Sequence, residues 1–331
     1  MASAPAAAEA RGRNRLLRAA GWAISLGSLG GVVWWASKQP APRLPDSRGE
    51  LVALAAAVTI YAGATLIRGE RAYRLLARSG ARPTRADAYG LTVVGYMGNN
   101  VLPARGGDAM RVYLQAPRAA TSMRNVIGTV VAERALDAAT LLSLFVLLAY
   151  GVLQGIDAPD GTRLAIIAGV VALVAGAVAV GAYLARHHPA VARALGFLAP
   201  MATATRSLRG HHGALMLALT VVIWALEAAT YLMVAEATGL AMDPVEALYV
   251  VALASVFVLI PAGPGYAGTL DAAVIFGVRA IGGGGGEAVS YLITLRFVLL
   301  VPITIAGLVL VLTRYGGWAR ARKSASGSET A

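Results

Sequence analysis

The chain has 331 residues, of which 57% are hydrophobic and only 14% are charged. A water-soluble domain carries far more charge, so this composition excludes an ordinary soluble fold and indicates an integral membrane protein. The net charge of +12 does not indicate nucleic-acid binding, because the arginines flank apolar segments, where anionic lipid headgroups and the positive-inside rule account for them. Without cysteine, the chain has neither disulfides nor thiolate metal ligands.

Six apolar segments are predicted to cross the membrane as helices, since each is close to the length that spans a hydrocarbon core of about 30 Å. They are Leu16–Ala36, Leu51–Ile67, Val126–Leu153, Leu164–Ala185, Ala214–Ala237 and Val289–Thr313. The first resembles a signal peptide, but it ends in Trp34 and Trp35, which are typical of an interfacial anchor. Residues 1–15 and 314–331 are expected to be basic cytoplasmic tails, the second disordered, and residues 16–313 a single transmembrane domain.

The charges of the loops predict the orientation of these spans. The segment after the second span carries six arginines against Glu70 alone, which places it and the amino terminus in the cytoplasm. The six are Arg68, Arg71, Arg74, Arg78, Arg82 and Arg85. The loop Gln154–Arg163 is acidic and predicted to be external, whereas Arg186–His212 is basic and predicted to be internal. Both termini are therefore expected on the cytoplasmic side of an inner membrane.

Three further apolar segments are too short or too interrupted for a simple crossing: Tyr89–Leu102, Val245–Ile260 and Gly268–Ile281. The first is predicted to be re-entrant, and the other two to form a hairpin or two half-crossings that enter from outside. The helix-breaking residues are Pro103, Gly106 and Gly107 in the first break, and Pro261, Gly263, Pro264, Gly265 and Gly268 in the second. The expected fold is an all-α polytopic membrane protein with about six full transmembrane helices and two broken or re-entrant helical hairpins.

The two breaks resemble each other in sequence. Val101–Ala109 and Leu259–Ala267 align without a gap and share Pro, Ala, Gly and Ala at equivalent positions. Many transporters build their substrate site near the midplane from inverted repeats with discontinuous helices. An inverted repeat is therefore one interpretation, and the other is a coincidence between two turns that are rich in glycine and proline.

Polar residues around the breaks are the first candidates for a binding site. Non-helical backbone within a membrane is tolerated only where protein or enclosed water satisfies it, so the breaks indicate an interior site. A helix that restarts there offers free N–H groups and a positive dipole end, which suit a phosphate. The candidate substrate ligands are Asn99, Asn100, Arg105, Asp108 and Arg111 at the first break, and Thr269 and Asp271 at the second. Tight turns without a ligand are the alternative.

Charged residues within the predicted spans are the second group of candidates. Glu133, Arg134 and Asp137 lie in the third span, Glu227 in the fifth and Arg296 in the last. Each costs about 2.5 to 3.5 kcal/mol at the bilayer centre, so they are expected to face the bundle interior and to find partners. We predict that Arg134 and Arg296 balance a translocated anion, and that Glu133 and Asp137 set their geometry. A structural ion network that only locks helices together is the alternative.

No cofactor, metal site or enzymatic activity is predicted. The pairs His187, His188 and His211, His212 flank one basic loop, and solvated interfacial histidines explain them better than a metal site. The sequence contains no Walker loop, zinc-protease helix or serine-hydrolase elbow.

Four motifs follow one another between about residues 90 and 310. They are the run Gly98–Tyr113, the Glu133-Arg134 pair with Asp137, the Pro-Ala-Gly-Pro-Gly-Tyr-Ala-Gly-Thr stretch that ends at Thr269, and Arg296 followed by Pro302 and Gly307. Together they resemble the flippase-like family, which comprises the transmembrane domain of lysylphosphatidylglycerol synthase and its stand-alone homologues. Asp271 departs from the family pattern, because many relatives carry Glu at that position, and this leaves the role of its carboxylate open.

The resemblance implies an inner-membrane protein that moves an anionic lipid between leaflets through a polar midplane cavity. It does not identify the lipid, and both a phospholipid and a polyprenyl phosphate fit. Bifunctional relatives carry a soluble aminoacyl-transferase domain after the membrane part, whereas this chain ends soon after its last span, so aminoacyl transfer is not expected. Two alternatives stay open: a membrane-embedded lipid-modifying enzyme, and a non-transporting accessory subunit of envelope lipid or polysaccharide synthesis.

Overall fold

The computed structural model describes residues 26–27, 29–102, 105–154, 210–258 and 263–316. Within these ranges the chain forms helices and turns, which agrees with the predicted all-α class. Several predicted features lie outside the described residues. They are Pro103, Pro261, the span Leu164–Ala185, the loop at 155–163, the pair His187 and His188, and the chain ends at 1–25 and 317–331.

The helices, except the third, each contain or overlap a predicted apolar segment. In chain order they are α1 (Arg48–Arg78), α2 (Arg85–Val101), α3 (Gly106–Arg118), α4 (Met123–Gln154), α5 (Gly210–Thr238), α6 (Pro244–Val258), α7 (Thr269–Ala280) and α8 (Gly285–Thr313). A single 3-10 turn, Pro264–Tyr266, lies between α6 and α7. Residues 29–36, at the end of the first predicted span, are also helical.

Three helices in the described part of the chain are long and apolar enough to cross a membrane: Arg48–Arg78, His211–Thr238 and Gly285–Thr313. They contain the second, fifth and sixth predicted spans. The third predicted span lies in α4, a helix of 32 residues. The total of six crossing helices remains a prediction, because part of it concerns residues that the structure does not describe.

The exposed side chains of α8 are those expected of a helix that faces lipid. Phe297, Ile305 and Leu312 are exposed, whereas Ser290 and Thr294 are buried among apolar residues. A helix in water exposes polar and charged side chains instead. An apolar exterior and a partly polar interior are typical of a helix that packs between protein and hydrocarbon.

The helix α1 extends well beyond its predicted end at Ile67. It starts at a capping box, in which Ser47 and Glu50 satisfy each other's backbone N–H groups, and it contains no proline and continues to Arg78. Arg68 and Arg71 are therefore not loop residues in the cytoplasm, as the charge pattern predicted, but buried helical residues that are 7% and 2% exposed. The prediction failed because it placed the end of the helix where the charges begin.

The helices α2 and α3 form a hairpin that begins and returns on one face of the bundle. The backbone N–H of Arg82, just before α2, donates to the carbonyl of Ala119, just after α3, at 2.8 Å. The end of α8 lies at the same face, where Arg314 pairs with Asp87. We call this end the basic face, because it carries Arg74, Arg78, Arg82, Arg85, Arg118 and Arg314. This hairpin has the course expected of a re-entrant element.

The helices α6 and α7 form a second hairpin, which opens to the opposite face. The start of α5 lies near the basic face, where Met216 packs with Leu75, and α6 begins just beyond the far end of α5. At that far end, Leu240 and Val278 belong to one buried cluster, so the end of α7 lies beside the end of α5. The two hairpins therefore open in opposite directions, as predicted.

The two breaks differ in backbone conformation despite their similar sequences. Arg105 is left-handed, with φ of 55°, whereas the aligned Gly263 has φ of −66°. In the second break the left-handed residues are Gly265, Tyr266 and Gly268. The inverted repeat remains a prediction, because aligned residues do not adopt equivalent conformations.

Glycines bring α2 and α3 into backbone contact. A Cβ atom added to Gly107 would overlap the carbonyl oxygen of Gly95, and one added to Gly98 would overlap the Cα of Gly107. The same holds between α2 and α8, where a Cβ on Gly307 would overlap the side chain of Met97. These close approaches hold the polar residues of α2 and α3 at a fixed separation.

We predict that Gly107→Ala destabilises the protein, because the added methyl group forces α3 away from α2. Overpacking of this kind costs roughly 1 to 3 kcal/mol. Gly63→Ala on α1 is the matched control, since a Cβ there meets nothing within 4 Å. Thermal unfolding of both variants in detergent would measure the difference, and equal stability of the two would contradict the proposed backbone contact.

Candidate functional site

Charged side chains from four helices meet around one interior pocket. Its cavity volume is about 10 Å³, close to the space that holds one water molecule, so a larger ligand requires the helices to move apart. The residues that line it are Arg68 and Arg71 of α1, Thr92, Gly95, Tyr96 and Asn99 of α2, Asp108 and Arg111 of α3, and Glu133 and Arg134 of α4. The structure therefore brings together five of the predicted substrate ligands: Asn99, Asp108, Arg111, Glu133 and Arg134.

Two of the arginines form bidentate ion pairs that join different helices. Arg111 donates from both terminal nitrogens to Glu133, at 3.0 and 2.8 Å, and joins α3 to α4. Arg71 donates to both oxygens of Asp137, at 2.7 and 3.1 Å, and joins α1 to α4. Arg71 also donates to the hydroxyl of Thr220 on α5, at 2.8 Å. Bidentate pairs of this kind fix both the distance and the angle between their helices.

The other two arginines are held by single or longer contacts. Arg68 donates to Glu227 at 2.5 Å, and its guanidinium lies over the ring of Tyr96. Arg134 lies 3.4 Å from Asp108 and 3.7 Å from Asp137, the partner that its spacing on α4 predicted. Its side chain is 35% exposed, the most of the four guanidinium side chains. Arg134 is therefore the arginine that is most accessible to a ligand.

Asn99 and Asp108 close the pocket where the first break ends. The Asn99 amide donates to the Asp108 carboxylate at 3.3 Å and accepts from the Asp108 backbone N–H at 3.2 Å. This reciprocal contact occupies the first turn of α3, where a free helix start was predicted to suit a phosphate. The protein's own carboxylate stands there instead.

Several buried N–H groups around the pocket have no hydrogen-bond partner among the described residues. They are Nη1 of Arg68, Nε of Arg71, Nε of Arg134 and Nε2 of Gln115, whose carbonyl oxygen accepts from Arg111. A buried donor without an acceptor costs about 1 to 3 kcal/mol, so such groups in a native protein are matched by water, an ion or a ligand. The pocket therefore offers donors that suit an anion.

Arg296 and Asp271 form a second, separate cluster at the second break. One oxygen of Asp271 accepts from Arg296 Nε, and the other accepts from the backbone N–H of Gly268 at 2.8 Å. Arg296 also approaches the carbonyl of Gly265 at 3.5 Å. Arg296 does not line the pocket that contains Arg134. As in α3, the start of α7 has a carboxylate of its own at the place predicted for an anion.

The remaining predicted ligands stabilise the breaks. Asn100 donates to Thr304 of α8 at 3.0 Å. Arg105 donates to the carbonyl of Val258, at the end of α6, at 3.3 Å, and its guanidinium lies over the ring of Tyr266. Thr269 donates to the carbonyl of Tyr266. These contacts join the two hairpins to each other and to α8, and none of these residues lines the pocket.

Sequence reasoning missed Arg68, Arg71 and Gln115 as residues of the site. The signal for the two arginines was the absence of proline between Leu51 and Gly80, which allows the helix of the second span to continue past them. Gln115 follows Arg111 by one helical turn, and this spacing places both side chains on one face of α3. Within the described ranges, no group of three or more His, Asp or Glu could hold a metal ion.

The fold and the site together define a helical membrane protein with two interrupted hairpins and a buried ionic network around a polar pocket. Residues 19–307 match the family described as the lysylphosphatidylglycerol synthase TM region, and the chain belongs to this family. The match contains all four motifs on which the resemblance was based. No curated protein and no solved structure matches the chain at a significant level.

We predict that Arg111→Met strongly destabilises the protein, because it leaves the Glu133 carboxylate buried without its cation. Breaking a buried pair in this way costs roughly 3 to 5 kcal/mol. The double variant Arg111→Met with Glu133→Leu is expected to recover most of that stability, since it buries no unpaired charge. Size-exclusion profiles and thermal unfolding in detergent would measure both variants. A single variant as stable as the wild type would contradict the pairing.

Proposed function

We propose that this protein moves a lipid with an anionic headgroup between the two leaflets of a membrane, with the headgroup in the arginine-lined pocket and the acyl chains in the bilayer. The observation that carries the proposal is the set of unpartnered N–H groups on Arg68, Arg71 and Arg134 inside an apolar bundle. No described part of the protein accepts hydrogen bonds from these groups, so they can donate to a bound anion.

The arrangement of the two hairpins supports the same function. One opens to the basic face and the other to the opposite face, and Arg105 and Tyr266 bring the two breaks into contact. Interrupted helices that meet near the middle of a bundle are how many transporters expose one site to each side in turn. A headgroup in the pocket would thus lie next to the segments best suited to open toward either leaflet.

The leading rival is a membrane-embedded enzyme that modifies a lipid. Its general base would have to be Asp108 or Glu133, the two described acids that line the pocket. Glu133 accepts two hydrogen bonds from Arg111, and Asp108 lies 3.4 Å from Arg134. Each carboxylate would have to give up its arginine before it could take a proton from a substrate. This pairing favours transport over acid–base chemistry on the lipid.

We predict that Arg134→Gln lowers leaflet exchange on the order of tenfold, because a hydrogen bond to a charged group contributes about 1.5 to 3 kcal/mol. The measurement is dithionite quenching of a fluorescent phospholipid in liposomes that contain the purified protein. Arg48→Gln is the matched control, since it removes the same charge from an exposed position at the start of α1.

Two outcomes would contradict the proposal. One is exchange by Arg134→Gln at the wild-type rate, and the other is a chemically altered lipid formed in detergent micelles without leaflet exchange, which would favour the enzyme. Arg296→Gln tests the second cluster on its own. Unchanged exchange by that variant would show that the headgroup does not need the arginine at the second break.

The orientation we propose places the basic face in the cytoplasm, because arginines of short loops are retained on that side of an inner membrane. The chain has no cysteine, so single cysteines report their position directly. Ala280→Cys at the opposite face is expected to react with an impermeant maleimide in intact cells. Arg82→Cys is expected to react only after permeabilisation, and the reverse pattern would overturn the orientation.

A further inference from the structure

The charges around the pocket balance one to one. Each guanidinium that faces the pocket has a carboxylate partner: Arg68 with Glu227, Arg71 with Asp137, Arg111 with Glu133, and Arg134 with Asp108. The four positive charges therefore meet four negative charges, and none of the described residues that line the pocket is a cation without a carboxylate partner. Arg296 does not add one, since it pairs with Asp271 in the separate cluster.

The hydrogen-bond donors of these arginines, in contrast to their charges, are not all matched by acceptors among the described residues. The unpartnered Nη1 of Arg68, Nε of Arg71 and Nε of Arg134 all belong to guanidiniums that already face a carboxylate. An anion can accept from these donors without displacing an internal ion pair. The donors lie on both α1 and α4, so they approach the pocket from two helices.

A second negative charge on the ligand would have no such compensation. Asp108 and Glu133 line the pocket, so a dianion would face two carboxylates, while every described arginine of the lining already has a carboxylate partner. In an interior of low effective dielectric, repulsion between an uncompensated charge and a nearby carboxylate is far stronger than it is in water. The donors thus stabilise the first charge of an oxyanion, and the acids oppose the second.

We propose that the pocket accepts an oxyanion with one negative charge, a phosphodiester headgroup, and discriminates against the dianion of a phosphomonoester. This inference rests on the proposed function and makes it more specific. Of the two lipid classes that the sequence left open, it favours a diester phospholipid over a polyprenyl monophosphate.

The experiment compares two fluorescent lipids with the same acyl chains, phosphatidylglycerol and phosphatidic acid, in liposomes that contain the wild-type protein. Protein-free liposomes give the spontaneous rates. Near pH 8, protein-dependent exchange of phosphatidylglycerol is expected to be at least about tenfold faster, which corresponds to about 1.4 kcal/mol. Equal rates for both lipids would overturn the charge rule while leaving lipid transport intact, and no exchange of either would overturn the proposed function itself.

Acidification provides a second signature. The second pKa of a phosphomonoester is about 6, so phosphatidic acid becomes largely a monoanion below that pH. Its exchange is expected to rise as the pH falls, while the phosphatidylglycerol rate reports any titration of the protein's own groups. The titratable and charged groups that face the pocket are Arg68, Arg71, Tyr96, Asp108, Arg111, Glu133 and Arg134. A constant ratio of the two rates between about pH 8 and pH 5 would contradict the rule.

Charge variants test the balance directly. Glu227→Gln leaves the pocket with one surplus positive charge and is expected to raise the ratio of phosphatidic acid to phosphatidylglycerol exchange on the order of tenfold. Asp137→Asn also removes one negative charge, on α4, and replaces Glu227→Gln in the experiment if that variant does not fold. Glu236→Gln is the matched control, since Glu236 lies exposed on the same helix as Glu227. An equal shift in all three variants would contradict the proposal.

A free anion is the other source of the same chemistry. Dimethyl phosphate and methyl phosphate are soluble probes with one and two charges near pH 8. Stabilisation of the purified protein against heat by dimethyl phosphate alone would support the charge rule. If this occurred without any lipid exchange, it would assign the site to a soluble anion and overturn the lipid headgroup as the occupant.

Discussion

A guanidinium inside an apolar bundle is stable only if carboxylates and hydrogen-bond acceptors come with it. Arg71 and Arg111 satisfy this requirement almost completely, through bidentate pairs with Asp137 and Glu133. These pairs join α1, α3 and α4, so the same contacts that neutralise the arginines also set the positions of the helices around the pocket. A substitution that changes these buried charges is therefore expected to change the positions of the helices around the pocket as well.

The close packing of α2 supports this network from the other side. Gly95, Gly98 and Gly107 allow α2 and α3 to approach backbone to backbone, and Gly307 allows α8 to approach Met97. Without side chains between them, the helices hold Asn99 beside Asp108, and Arg111 within reach of Glu133. Small residues at helix contacts are the usual means of tight association in lipid, where the hydrophobic effect does not drive helices together.

Sequence reasoning found the helical class, the two interrupted hairpins and five of the ten pocket residues, because hydropathy and breaks in it are local signals. It misplaced Arg68 and Arg71, because the positive-inside rule counts charges along the sequence and takes no account of a partner such as Asp137 across the bundle. It also expected Arg134 and Arg296 to serve one anion. These two residues are 162 positions apart in the chain, so the sequence around each gives no signal of which pocket it faces, and the packing of α4 and α8 separates them.

The course of the α2–α3 hairpin has a consequence for how the protein is made. The helix α3 has 13 residues and carries Asp108, Arg111 and Arg118, so it is too short and too polar to enter a bilayer by itself. It reaches the interior only against the glycine face of α2, and Arg111 is neutralised only when Glu133 arrives on α4. Membrane integration of this region is therefore a cooperative event that is completed only after α4 has been synthesised.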